Sequence, residues 1–174
     1  MRKSIKEGFG LLKELDLNIL ELLSEDSRRS HQEIAEILGV EEAAVAAAIA
    51  RMTEDGTIIK YTAAINWDKT GDERVEALIE VRVTPQREEG FDKIAQRIYR
   101  HEEVESVYLM SGAYDLMVMV RGRTLREVSL FVSQKLACLD NVLSTATHFV
   151  LKKYKFDGVI LEKQEKPERL AVSP

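Results

Sequence analysis

The 174-residue sequence has one cysteine, Cys138, and three histidines. A lone cysteine excludes an internal disulfide and makes a reducing cytoplasm the expected compartment. Cys138 reads as a small apolar residue on a packed helix. No apolar run approaches the roughly 20 residues that cross a bilayer, so no membrane association is expected. The basic start, Met1 to Glu7, is not followed by the apolar core of a signal peptide. His31, His101 and His148 have no cysteine or carboxylate at ligand spacing, which argues against a metal site. Gly8-Phe9-Gly10 lacks the rest of a dinucleotide fingerprint. No cofactor and no catalytic residue are expected.

What is present is a globular balance of 45% hydrophobic and 32% charged residues. The length suits one domain or two small ones. The net charge is −5, and residues 1–66 hold most of it, with eight basic and twelve acidic side chains for a net of −4. Neutralising phosphates supplies most non-specific affinity for DNA. An acidic N-terminal region therefore predicts weak, salt-sensitive binding.

Leu15, Ile19, Leu22 and Leu23 fall at helical spacing over 13–24, with Lys13, Asp16 and Glu21 off that face. Ser30-His31-Gln32-Glu33 has the spacing of a capping box and opens a second helix burying Ile34, Ile37 and Leu38. Gly39 suits the positive-φ position after a helix end. A third helix, from Glu41 to Met52, buries Val45, Ala48, Ile49 and Met52. Three short helices with a tight turn between the last two define a helix-turn-helix, although a packing or dimerisation domain has the same pattern. Thr57 to Ile65 is β-rich and reads as a strand or short wing.

The expected boundaries are a winged helix-turn-helix over 1–64, a linker over 65–74, an α+β domain over 75–155 and a tail over 156–174. Val75 to Val83 alternates, with Ala77, Ile79, Val81 and Val83 on one side, and Pro85 ends it. A helix follows, with Phe91, Ile94, Ala95, Ile98 and Tyr99 on one face. Strands are expected over 104–110, 114–120 and 142–151. Thr124-Leu125-Arg126-Glu127 is read as a second capping box, opening a helix that buries Leu125, Val128, Phe131, Val132 and Leu136. This β-α-β-β-α-β order is ferredoxin-like, and right-handed crossovers put both helices on one sheet face. Met117 and Met119 make the other face apolar as well, so a homodimer with sheet packed on sheet is expected.

Two stretches have the chemistry to hold a small zwitterion. Ser111-Gly112-Ala113-Tyr114-Asp115 combines backbone donors, an aromatic and a carboxylate at a turn, and Ser144-Thr145-Ala146-Thr147-His148 offers three hydroxyls. The structural alternatives are that Asp115 orders the hairpin and that the threonines reflect strand preference.

In order and spacing, several strings resemble the leucine-responsive/asparagine-regulator (Lrp/AsnC) family of transcription factors. They are Leu15-Asp16-Leu17-Asn18-Ile19-Leu20, Asp26-Ser27-Arg28-Arg29-Ser30, Glu33-Ile34-Ala35, Leu38-Gly39-Val40, Asp55-Gly56-Thr57-Ile58-Ile59-Lys60-Tyr61 and Ser111-Gly112-Ala113-Tyr114-Asp115-Leu116, and the resemblance spans residues 12–155. It implies a winged helix-turn-helix followed by a ferredoxin-like amino-acid-metabolism regulation (RAM) domain. It also implies dimers that assemble into tetramers or octamers, and an amino acid or related effector bound near the hairpin turn. Carried over, the DNA-facing set is Arg28, Arg29, Ser30, Glu42, Ala43, Ala44, Ala47 and Arg51. The effector set is Met110, Ser111, Gly112, Tyr114 and Asp115 with Ser144, Thr145 and Thr147. Two features depart from the family pattern. Glu41 stands where a capping serine is usual, and the outer face of the third helix is Glu42, Ala43, Ala46, Ala47 and Ala50, with Arg51 its only cation. Alanine can touch a thymine methyl but makes no bidentate base contact. The runner-up readings are a ligand-sensing or assembly module with weakened DNA binding, and an enzyme similar to the sirohaem decarboxylases. The latter would draw on His101, His148, Arg121 and Arg123.

Overall fold

The computed structural model describes residues 13–72, 74–84 and 90–161. Pro85, Gly8-Phe9-Gly10, the basic start and the tail beyond residue 161 lie outside the described residues. The chain divides into two compact units, Met1–Ala64 and Ile65–Pro174.

In the first unit, helices α1 (Glu14–Glu25), α2 (His31–Leu38) and α3 (Glu42–Glu54) enclose Ile19, Ile34, Val45 and Met52, all fully buried. Local chemistry sets the ends of α2. The Ser30 hydroxyl accepts from the Glu33 N–H at 3.2 Å, and the Glu33 carboxylate accepts from the Ser30 N–H at 2.7 Å. Gly39 adopts φ +66, and the Val40 N–H closes the helix on the Ala35 carbonyl at 3.1 Å.

Three expectations for this unit are corrected. Ile37 is 54% exposed, and Ala35 is buried instead. At about 100° per residue, Ile34, Leu38 and Ala35 share one stripe, while Ile37 lies about 60° outside it. Asp16, placed off the α1 face by pattern, is 2% exposed, because a buried carboxylate is tolerated where it is paired. Thr57 to Ile65 forms no strand among the described residues, because no partner strand lies beside it. Instead the Ile58 N–H returns to the Met52 carbonyl at 2.8 Å, and the Ser27 hydroxyl donates to the Thr62 carbonyl at 3.1 Å.

The second unit contains β1 (Val75–Val83), α4 (Asp92–Tyr99), β2 (Val104–Leu109), β3 (Leu116–Gly122), α5 (Leu125–Phe131) and β4 (Val142–Phe149). The sheet order is β2-β3-β1-β4, antiparallel throughout, which is the ferredoxin-like topology. Ala77, Ile79, Val81 and Val83 of β1 and Leu116, Val118 and Val120 of β3 form one buried layer with Ile94, Ile98, Val128, Phe131 and Leu136 from the helices. Both helices therefore cover the same sheet face. On the opposite face the cross-strand rows place Leu78 beside Met119 and His148, and Glu80 beside Met117 and Ala146. On β1 and β3 that face is half-buried, with Leu78, Met117 and Met119 around a central Glu80 that meets the exposed His148 at 3.3 Å, and with Glu76, Arg82 and Arg121 towards its ends.

Tyr99 and Leu125, expected in the core, are 55% and 56% exposed. The expected capping box at Thr124 is only half formed. Thr124 accepts from the Glu127 N–H at 3.1 Å, but the Glu127 carboxylate takes the Arg123 N–H at 2.7 Å rather than its own cap residue. After α5 the helix widens into a π-type turn, Val132–Leu136. Cys138 follows, exposed rather than packed, its thiol donating to the Ser133 carbonyl at 3.1 Å. A Cβ at Gly122 would meet the Val128 Cγ2 at 2.9 Å, so the end of β3 can approach α5 this closely only as glycine. The hairpin β5 (Lys155–Phe156) and β6 (Val159–Ile160) turns through Asp157 and Gly158, both at positive φ as a tight hairpin turn requires.

Truncating the fully buried Ile79 to alanine is expected to lower unfolding free energy by about 2–5 kcal/mol in chemical denaturation, through lost burial and a residual cavity. Ile59→Ala, at a side chain 89% exposed, should stay within about 0.5 kcal/mol of the parent.

Candidate nucleic-acid and effector sites

The DNA-facing set divides between the turn before α2 and the outer face of α3. Glu42, Ala43, Ala44 and Ala47 are exposed along α3, while Val45, Ala48, Ile49 and Met52 hold the helix to the core. Glu41 occupies the N-cap position but makes no side-chain cap, so the α3 N-terminus has only backbone ordering at its first turn. Ser30 is committed to capping α2.

Each of the three arginines already has a carboxylate. The Arg28 guanidinium grips Asp26 with two parallel bonds of 3.0 Å, and the Arg28 backbone N–H adds a third to the same carboxylate. Side-chain hydrogen bonding from Arg28, then the backbone bond, holds the Asp26 carboxyl at about 2 against an ordinary 3.8. Arg29 pairs with Glu25 at 3.0 Å, and its Nε is buried without a partner. Arg51 reaches from α3 to Asp16 at 2.6 Å and lies 3.9 Å from Asp55. Asp16 was missed as a participant. Its carboxylate also accepts the Lys13 N–H at 3.0 Å, so one buried acid caps α1 and ties α3 to it. The cap was readable from the three-residue spacing; the ion pair, 35 residues away, was not. A guanidinium has five N–H donors, so each arginine keeps donors free for a phosphate, although a carboxylate stands beside it.

The effector set gathers at one end of the sheet without closing into a pocket. Gly112 sits at φ +154, a conformation that L side chains rarely adopt. Ser111, Gly112 and Ala113 are exposed, and Tyr114 and Asp115 are half-buried. The Met110 N–H bonds the Asp115 carbonyl at 2.8 Å, and the Asp115 N–H bonds Val81 at 3.1 Å. The Asp115 carboxylate accepts the Val83 N–H at 2.8 Å. Asp115 therefore orders the junction of β1 and β3. Arg82, on the open face of β1 and outside the expected site set, donates to the Ala113 carbonyl at 2.8 Å and faces Ser144 across the ladder. The three hydroxyls of β4 do not converge. Ser144 shares the open face with Arg82, whereas Thr145 and Thr147 pair with the buried Val81 and Ile79 and so lie on the helix-covered face. The set lines none of the described depressions, of which one of about 810 Å³ lies at the other end of the sheet.

Among the described residues no helix is long and apolar enough to cross a membrane. No three His, Cys, Asp or Glu side chains among them cluster to hold a metal.

A three-helix reading head and a ferredoxin-like domain with a polar hairpin turn define a helix-turn-helix regulator carrying a sensory module. Comparison with known proteins agrees. Residues 12–59 match the winged helix-turn-helix DNA-binding model, and residues 76–160 match the Lrp/AsnC ligand binding domain. The chain is 49% identical over 164 residues to the uncharacterised HTH-type transcriptional regulator YugG of Bacillus subtilis, covering 94% of this chain and 99% of that one. It is 28% identical to the proline dehydrogenase transcriptional activator of Rhizobium radiobacter, covering 85% and 94%. Among solved structures, the transcriptional regulator NMB0573 of Neisseria meningitidis, crystallised with L-Met, superposes with a TM-score of 0.66 at 21% identity, covering 83% and 93%. The chain belongs to the Lrp/AsnC family of helix-turn-helix transcriptional regulators. It is a regulator and not an enzyme, which sets aside the decarboxylase reading.

Asp26 has a depressed folded-state value, so its pairing contributes fully above pH 3.8 and is lost as pH falls towards about 2. Carboxyl carbon chemical shifts followed through acid titration should place its midpoint there. Replacing Asp115 with alanine should cost about 1–3 kcal/mol in denaturant unfolding, because the Val83 N–H loses its acceptor.

Proposed function

We propose that this chain acts in the cytoplasm as a homodimeric, amino-acid-responsive DNA-binding regulator. The observation that carries this reading is the exposed face of α3, held outward by the buried Val45, Ala48, Ile49 and Met52. Arg28, Arg29 and Ser30 lie at the start of α2 in the same unit. Arg28 and Arg29 serve phosphate, Arg51 anchors α3 to the backbone, and Ala43, Ala44 and Ala47 meet thymine methyls. Two such heads spaced about 34 Å apart read successive major grooves.

The dimer forms through the open sheet face. Half-buried Leu78, Met117 and Met119 support this, because three apolar side chains grouped around the Glu80–His148 pair are unusual on a solvated face. Further assembly to tetramers or octamers adds avidity to a weak single head. The effector is an amino acid. Exposed backbone groups at Ser111–Ala113 suit its charged ends, with Met110, Tyr114, Asp115 and Ser144 beside them, while Thr145 and Thr147, on the helix-covered face, stand outside the site. The L-Met complex of the Neisseria regulator and the role named for the Rhizobium relative support that chemistry.

Paired arginines and an alanine face favour a second reading, a sensor that has lost DNA binding. Titration of the gene's own upstream DNA separates the two. Binding at about 50 mM salt that weakens steeply with added salt supports the regulator, while no binding there, with or without amino acids, sinks it. In the same assay Arg28→Gln, at a largely exposed side chain, should reduce the salt slope by about 1.

An amino acid at 100 times its Kd should raise stability by about 2.7 kcal/mol in thermal melts, and melts flat across the common amino acids would count against the effector. Met117→Glu should convert the dimer to a folded monomer in sedimentation, because burying two like charges across a two-fold axis is unfavourable.

A further inference from the structure

At the end of the sheet where β2 begins and β3 finishes lies the open depression of about 810 Å³. Its walls come from the connector before β1, the turn after α4, the start of β2, the end of β3, the first turn of α5 and the π-type turn that follows it. Acidic and basic side chains both line it, so formal charge does not choose a ligand. Which groups are already engaged does choose.

The carboxylates are mostly taken. Asp72 pairs with Arg74 at 2.5 Å, Glu105 with Arg121 at 2.8 Å, and Glu103 with the Lys135 ammonium. Glu127 accepts the Arg123 backbone N–H at 2.7 Å. Lys135 holds the Glu103 carboxyl below its ordinary value, which marks that acid as ionised and occupied. Only Glu102, exposed at the rim, is a lining carboxylate with no partner among the described residues.

Of the donors, Arg74 and Lys135 are paired, and the terminal nitrogens of Arg121 meet Glu105 at 2.8 Å and Glu76 at 3.4 Å. The Arg121 Nε is buried and bonds nothing. An orphaned buried donor calls for a partner, such as an ion or ligand. The side chains of Arg100 and Arg123 and the ring nitrogens of His101 have no hydrogen-bond or ion-pair partner among the described residues. The His101 ring is set edge-on to Phe131, 5.6 Å between centroids at 79°, which fixes its plane at the wall.

We propose that this depression binds a small oxyanion, the phosphate or carboxylate group of a metabolite, through Arg121, His101, Arg100 and Arg123. The site is separate from the hairpin turn. The seven residues of β3 lie between them, roughly 20 Å at strand rise. Because Asp72 and Arg74 come from the connector, an anion here ties the segment entering this unit to the β3–α5 corner. The proposal requires neither DNA binding nor an amino-acid effector, so its test stands apart from theirs.

Three histidines make the test local. Uniformly 15N-labelled full-length protein would be titrated with inorganic phosphate, and separately with succinate, at constant ionic strength set by chloride. Ring resonances of His31, His101 and His148 would be followed. The expected result is a saturable change at His101 alone, with its titration midpoint moved up because an adjacent anion favours the imidazolium. The probe that saturates first identifies the headgroup. The Arg100→Gln/Arg123→Gln double variant changes exposed side chains without described partners and should fold normally. It should weaken binding by about tenfold or more, from a millimolar starting point. A flat response at His101 to both probes overturns the proposal. So does a parallel drift of all three histidines, or an undiminished response in the double variant.

Discussion

The second unit depends on one strand. β1 is hydrogen-bonded on both sides, to β3 and to β4, and its four inward side chains, Ala77, Ile79, Val81 and Val83, are all buried beneath two helices. Period-two alternation leaves no freedom in this arrangement, since a one-residue slip would turn every one of them to the open face. The rest of the unit follows. β3 must match the register, α4 and α5 must lie on the same side, and the hairpin turn must fall beside the end of β1. There Asp115 completes the ladder by bonding the Val83 N–H.

Much of this was legible, for physical reasons that differ by element. β1 could be read from alternation because it is central and half its side chains are in the core. The start of α2 could be read because Ser30 and Glu33 satisfy each other across three residues, with no help from elsewhere. Local pattern failed where a distant partner decided the outcome. Asp16 looked solvent-facing by periodicity, but Arg51 draws it inward. Thr57 to Ile65 has strand composition, but composition makes a strand only when another edge is available. The site was less legible than the fold. Grouping Ser144, Thr145 and Thr147 treated a strand as a single surface, although alternation puts the first on the opposite side from the other two. Arg82 carried no motif, and its bond to Ala113 depends on how β1 ends against the turn.

The two ends of the sheet do different physical work. At the hairpin end, exposed backbone groups around Gly112 are held by bonds from β1, so polar groups stand ready at a rigid edge. At the far end, ionisable side chains from six segments meet around an open depression, with Gly122 allowing β3 and α5 to close together behind it. One core thus carries polar groups of different kinds at its two ends, backbone at one and ionisable side chains at the other.

The arginine–carboxylate pairs of the first unit have a consequence for how this surface meets a polyanion. Each cation arrives with its counterion covalently tethered, so contact with a phosphate is an exchange between two anions and not a simple neutralisation. For Arg28 the released group is Asp26, whose carboxyl moves between about 2 when gripped and 3.8 when free. Both values lie far below neutrality, so the exchange takes up no proton under physiological conditions. The tethered carboxylate stays charged and nearby after release. It lowers the gain from each contact and favours rapid return of the arginine. Such a surface favours brief engagement with a polyanion.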